Sequence, residues 1–184
     1  MPRSFIAIRI APPPSALLEA AAPLARMGRA VKAIEPQNLH ITLRFLGDTD
    51  EAMLALVSGA VREAVDAAKL RAFSFELAGV GAFPHEQRPS VVWAGGRDDQ
   101  PVHALVAAMT PLLDTLDFVP ETRPWTTHLT LARVKARPPR ELHDLLARHR
   151  ETSFGRVTIE QVELITSELL PSGPRYTTVD HVRL

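Results

Sequence analysis

His40-Ile41-Thr42-Leu43 recurs 88 residues later as His128-Leu129-Thr130-Leu131. Each copy alternates a polar with an aliphatic side chain, the pattern of a strand with one buried face. Because successive strand residues point to opposite sides, His and Thr share one face of each copy and the aliphatic pair shares the other. Two such strands side by side present two imidazoles and two hydroxyls to one cleft. That set suits a phosphate diester, with two groups to move protons and two to hold oxygens.

Working outward, Ser4–Ile10 reads as an opening strand, and Pro12-Pro13-Pro14-Ser15 leads into an Ala/Leu-rich helix to about Arg29, with Pro23 as a kink or early break. The first motif strand spans Asn38 to Leu46. Thr49 is the expected cap of a helix to about Leu70, in which Met53, Leu54, Val57, Val61 and Val65 recur at helical spacing. Phe73–Val80 and Ser90–Ala94 are expected strands joined by a loop holding Gly81, Pro84 and Pro89. In the second half, a helix from Gln100 to about Leu116 precedes the second motif strand, Thr127–Val134. A short helix then runs from Pro138-Pro139 to about Arg148, and Phe154–Val157, Ile159–Leu170 and Tyr176–Leu184 read as strands. The order lacks the βαβ spacing and Gly-rich turn of a dinucleotide fold. The expected class is α+β: two pseudo-symmetric lobes in a single bilobal domain over 1–184, each with an antiparallel sheet flanked by helices and the cleft between them.

Composition bounds the partners. The 184 residues include 46% hydrophobic side chains and carry 21 basic against 21 acidic groups, so no global field draws in long nucleic acid. A small ligand or an RNA end needs only a local patch. With zero cysteines there is no disulfide framework or zinc-thiolate site. No apolar run approaches a membrane span, and the start has no signal-peptide core, so a cytoplasmic protein without membrane contact is expected.

Strict alternation puts His40, Thr42 and Arg44 on the cleft face, and Ile41, Leu43 and Phe45 in the core. It puts His128 and Thr130 on the cleft face and Arg133 on the opposite one, reaching the cleft only from a bulge or the strand end. An imidazole near its usual pKa populates both protonation states at neutral pH, so two can act as base and acid. Neutral imidazole removes a proton from water, imidazolium protonates the leaving ribose oxygen, and the Thr42 and Thr130 hydroxyls hold the non-bridging oxygens. No metal or other cofactor is called for. A lone His-x-Thr strand would be read as structural; it is the repetition that favours chemistry.

These residues carry a resemblance. His40-Ile41-Thr42-Leu43-Arg44-Phe45-Leu46-Gly47-Asp48 and His128-Leu129-Thr130-Leu131-Ala132-Arg133-Val134 resemble the paired HxTx motifs of the two-histidine phosphoesterases. Within them the chain closely resembles the RNA 2′,3′-cyclic phosphodiesterases, long called 2′-5′ RNA ligases. The likeness extends to Phe5-Ile6-Ala7-Ile8, Gly81-Ala82-Phe83-Pro84, Val91-Val92-Trp93-Ala94-Gly95, Ser167-Glu168-Leu169 and Gly173-Pro174-Arg175-Tyr176. It implies hydrolysis of an RNA-terminal 2′,3′-cyclic phosphate to a 2′-phosphomonoester, with His40 as general acid toward O3′ and His128 as general base on water. It also implies a reversal that joins RNA ends such as tRNA halves through a 2′-5′ linkage. The residues alone do not say which histidine is acid and which is base.

Secondary candidates each have a plainer reading. Arg44 and Arg133 are phosphate-binding candidates that salt bridges or solvent would equally occupy. Arg133, Lys135, Arg137 and Arg140 form a basic stretch suited to an RNA backbone, or to a solvated loop. Trp93, Trp125 and Tyr176 could stack a base, Tyr176 being the best of the three, although each also reads as a packing residue. His85, His103, His143, His149 and His181 are expected as surface or hydrogen-bonded side chains. The chain is expected to act as a monomer. Competing readings are a phosphodiesterase for small cyclic nucleotides or 2′-5′ oligoadenylates, a module that binds RNA ends without turnover, and a metallohydrolase.

Overall fold

The structure is a computed structural model that describes residues 2–119, 122–171 and 173–184. Its elements in chain order are β1 (Arg3–Arg9), α1 (Ser15–Ala21), β2 (Val31–Ala33), β3 (His40–Asp48), α2 (Glu51–Ala67), β4 (Phe73–Phe83), β5 (Val91–Arg97), α3 (Gln100–Asp114), β6 (His128–Val134), α4 (Arg140–Arg148), β7 (Ser153–Ile159), β8 (Gln161–Leu170) and β9 (Gly173–Arg183). The sheet runs β7-β4-β5-β6-β3-β1-β8-β9, with β2 added beside β6, and all pairings are antiparallel. The order mirrors about the β6–β3 boundary. β7-β4-β5-β6 form one lobe and β3-β1-β8-β9 the other. The two expected sheets are thus halves of one curled sheet, joined where Ile41 pairs with Leu129.

That junction follows from the alternation. Ile41 and Leu129 are fully buried and face the helical layer, where Leu17, Leu54, Val57, Leu105, Met109, Leu142 and Leu146 complete one continuous core. Burying each such side chain contributes about 1.5–3 kcal/mol, so slipping either strand by one residue would be heavily penalised. A smaller cluster of Phe5, Ala7 and Ile165, with Tyr176 packed against it, lies on the other side of the first lobe.

Several boundaries differ from the sequence reading for identifiable reasons. The first helix stops at Ala21 and passes into 3-10 turns beginning with Ala22-Pro23, as Pro23 suggested. Asp50, not Thr49, caps α2: its carboxylate accepts the Met53 N–H at 2.8 Å. Thr49 is buried instead, accepting a bond from the Ser4 hydroxyl at 2.6 Å and donating to the Gly47 carbonyl at 3.1 Å. Gly81 lies within β4, which runs on to Phe83, rather than in a loop. The expected strand Ile159–Leu170 is divided at Glu160, and the three-residue β2 was not foreseen. No helix among the described residues is long and apolar enough to cross a membrane.

Candidate active site

Continuing the antiparallel register from Ile41↔Leu129 sets His40 across from Thr130 and Thr42 across from His128. The four side chains therefore form a crossed, pseudo-two-fold set. All four line one cavity of about 710 Å³, together with Phe45, Phe83, Trp125, Arg133 and Tyr176.

The two imidazoles are held alike. Nδ1 of His40 lies 2.7 Å from the Asn38 carbonyl, and Nδ1 of His128 lies 2.9 Å from the Thr126 carbonyl. A carbonyl only accepts, so each Nδ1 carries a proton and donates it. This fixes the tautomer of the neutral ring and leaves Nε2, with its lone pair or its second proton, as the nitrogen available to the cavity. Each ring is also backed by a phenylalanine. Phe5 stacks on His40 with centroids 4.9 Å apart, and Phe83 meets His128 edge-on at 5.3 Å.

Their surroundings then diverge. Tyr176 also packs edge-on against His40 at 5.3 Å and against Phe5 at 5.5 Å. Burial pulls the pKa of His40 below the usual imidazole value; the Arg9 and Arg133 charges add to this, and the hydrogen bond to Asn38 and the Glu163 carboxylate oppose it. Glu163 is itself buried and ion-paired with Arg9 at 3.2 Å. Burial raises the pKa of the Tyr176 phenol. The ring of Tyr176 thus packs over His40 and Phe5 while also lining the cavity.

Beyond Leu43 the alternation expected from sequence fails. In β1, consecutive residues Ile6 and Ala7 face Arg44 and Thr42, so Leu43 is an extra residue in the ladder. In β5, Val92 and Trp93 face Ala132 and Thr130, and Leu131 is the extra residue of β6. Each motif strand therefore bulges at the leucine after its threonine, and the residues directly after it change face. Arg44, 4% exposed, turns toward the helices and donates to Asp114 at the end of α3 at 2.9 Å and to the Val119 carbonyl at 3.1 Å. Arg44 still lines the cavity, but both of these bonds come from Nη2 and turn the guanidinium toward α3 rather than squarely into the cleft, while Nε has no partner among the described residues. Phe45, expected in the core, is 52% exposed and lines the cavity. Arg133, the counterpart of Phe45, is exposed into the cavity and near enough to affect both His40 and Tyr176.

The other candidates scatter. Lys135, Arg137 and Arg140 are exposed beyond the strand. Trp125 lines the cavity and donates its indole N–H to the Thr42 carbonyl at 3.1 Å, steadying the first motif, a contact that had no sequence signal. Trp93 lies outside this cavity and borders a second one with His85 and His103. His149 packs on Phe154 and bonds Thr152; His143 and His181 are exposed. Among the described residues, no three His, Cys, Asp or Glu side chains are gathered as metal ligands.

The arrangement can deliver a proton from one imidazole and accept one at the other while two hydroxyls and Arg133 hold an anion between them. Comparison with known proteins identifies the family. Residues 12–169 match the 2'-5' RNA ligase superfamily. An Archaeoglobus fulgidus protein named RNA 2',3'-cyclic phosphodiesterase is 36% identical over 146 residues, 79% of this chain and 80% of that one. The crystal structure of TT0787 of Thermus thermophilus superposes with a TM-score of 0.75 at 30% identity, covering 99% of this chain and 97% of that one. Escherichia coli LigT complexed with 3'-AMP has a TM-score of 0.69 at 22% identity over 100% of this chain and 98% of that one, a likeness of fold.

Proposed function

The chain belongs to the 2′-5′ RNA ligase superfamily, and on that premise we propose that it hydrolyses the 2′,3′-cyclic phosphate at an RNA end to a 2′-phosphomonoester. The observation that carries the proposal is the pair of imidazoles tied through Nδ1 to carbonyls, each with Nε2 left for the cleft. The cyclic phosphate sits between Thr42, Thr130 and Arg133, which offset the charge growing on its non-bridging oxygens. His128, neutral, takes a proton from water through Nε2 as the water oxygen bonds to phosphorus. His40, protonated, gives its Nε2 proton to O3′ as the P–O3′ bond breaks. Both proton transfers are supplied by side chains of one chain, so neither a metal nor a second subunit is needed.

The lowered pKa of His40 works against the acid role until substrate is bound. Burial disfavours the imidazolium of His40 in the free enzyme, and the anionic phosphate, once bound, favours the imidazolium that will donate. A 5′-hydroxyl in place of water runs the same displacement as a 2′-5′ ligation.

Product analysis tests the reading. A short RNA ending in a 2′,3′-cyclic phosphate is incubated with the protein in chelator, and 2′- and 3′-phosphate ends are separated. A 2′-phosphate product is expected. A 3′-phosphate product, tight binding without turnover, or turnover confined to small cyclic nucleotides would each overturn it.

A further inference from the structure

The second lobe carries an open groove that the hydrolytic site does not use. It lies on the same face of the sheet as His128, because Gly95 pairs with His128, Trp93 pairs with Thr130, and Gly81 pairs with Trp93. Its volume is about 760 Å³, and it meets the active cavity at Phe83 and Thr126, residues that line both. Its floor is built for a flat ring. A Cβ at Gly81 would stand 2.4 Å from the Trp93 indole, and one at Gly95 would stand 3.2 Å from it, so the indole rests directly on the backbones of two strands. At the far edge a Cβ on Gly79, whose φ is +73, would meet the Arg150 carbonyl at 2.7 Å. Side chains at these glycines would displace the indole or fill the groove.

Two polar atoms at this groove are buried without a protein partner among the described residues: the Trp93 indole nitrogen and the Thr127 hydroxyl. Thr127 is 6% exposed, and leaving a buried hydroxyl unpaired is costly. A valine of the same shape would avoid that cost. Both atoms are closed off from the open groove, so a partner reaches them only where its seating shifts the groove wall.

We propose that this groove is the acceptor subsite, holding the terminal nucleoside of an RNA whose 5′-hydroxyl takes the place of water, its base stacked on Trp93 and hydrogen-bonded to Thr127. The inference rests on the assignment of His128 as base. In an in-line displacement the nucleophile enters opposite the leaving O3′, on the side of the group that deprotonates it. The groove opens on that side, past Phe83 and Thr126. The step balances: the 5′-O–P bond forms as P–O3′ breaks, the hydroxyl proton passes to His128 Nε2, and His40 supplies the proton that O3′ gains. The product is a 2′-5′ phosphodiester with a free 3′-hydroxyl.

The test supplies a cyclic-ended RNA together with a short 5′-hydroxyl RNA and measures 2′-5′ product against hydrolysis. Transfer is expected to saturate with acceptor concentration. Thr127→Val and Trp93→Ala are expected to lower the transfer-to-hydrolysis ratio, by about 10-fold for Trp93, since that variant removes the aromatic face on which the base stacks. Gly81→Ala, which pushes the indole off its floor, guards against a folding defect in Trp93→Ala. A ratio unchanged in all three variants overturns the subsite. A binding measurement stands beside it: in Trp125→Phe, Trp93 is the remaining tryptophan, and the 5′-hydroxyl RNA should quench its fluorescence saturably. No quenching overturns the subsite even where hydrolysis proceeds. Quenching without any hydrolysis by the wild type would instead overturn the proposed reaction and retain the groove as a nucleoside site.

Discussion

Across from His40 stands Arg9 and across from Thr42 stands Ala7; across from His128 stands Gly95 and across from Thr130 stands Trp93. The lobes are equivalent in strand order, in the bulge after each motif, and in the Nδ1 bond of each histidine. They differ in what surrounds the imidazole. The first lobe is filled, with Phe5, Tyr176 and the Arg9–Glu163 pair packed about His40. The second is open, with glycines beneath one indole. Repeating a strand duplicates a chemical group, and what packs around each copy makes the two unequal.

The largest expected effect tests whether both copies are needed at all. His40→Ala and His128→Ala should each lower kcat for cyclic-phosphate hydrolysis by about 10²–10⁴-fold. The double variant should fall little further, because acid and base act in one step. Steady-state rates on a short cyclic-ended RNA check this, and near-normal turnover by either single variant would break the comparison.

A second experiment contrasts the arginines that the bulges send to opposite faces. Arg133→Ala should raise KM for RNA by about 10-fold, the size expected for removing one charged hydrogen bond, and should weaken its dependence on salt. Arg44→Met should leave KM little changed and lower unfolding stability by about 2 kcal/mol, since it removes charged hydrogen bonds to Asp114 and Val119. Denaturant unfolding alongside kinetics separates the two.

The smallest expected effect concerns protons. His40 has a folded-state pKa below its unfolded value, so in the window between the two the unfolded chain binds more protons. Its contribution to stability is therefore present above the ordinary imidazole pKa and is lost as pH falls toward the lowered value. Because His40 must be protonated to act as the acid, the lowered value also draws the alkaline limb of kcat/KM toward acid. Tyr176→Ala, which opens the packing over the ring, should move the NMR titration of His40 back toward the ordinary value. No movement would mean that burial by Tyr176 is not the cause.

Much of this site was legible in the sequence. The alternation in His40–Leu43 and His128–Leu131 set the polar face and the buried junction correctly, because one hydrophobic periodicity determined both. It failed at the next residue for a physical reason. A bulge adds one position to a strand without changing its composition, so Leu43 and Leu131 look like ordinary alternating residues. That extra position exchanged the expected faces of Arg44 and Phe45 and brought Arg133 to the cleft. The cap at Asp50 was lost among adjacent residues with equal capping ability. The groove at Trp93 had no local pattern, since its floor comes from Gly81 and Gly95 on different strands and its unpartnered hydroxyl from the segment before β6.

The central claim is that the two copies divide the proton work, His40 protonating O3′ and His128 deprotonating water. A substrate whose bridging 3′-oxygen is replaced by sulfur tests it most directly, because a thiolate leaves without a proton. His40→Ala should turn over this substrate at close to the wild-type rate, while His128→Ala remains inactive. Equal impairment of the two variants, or rescue of His128→Ala instead, would contradict the division.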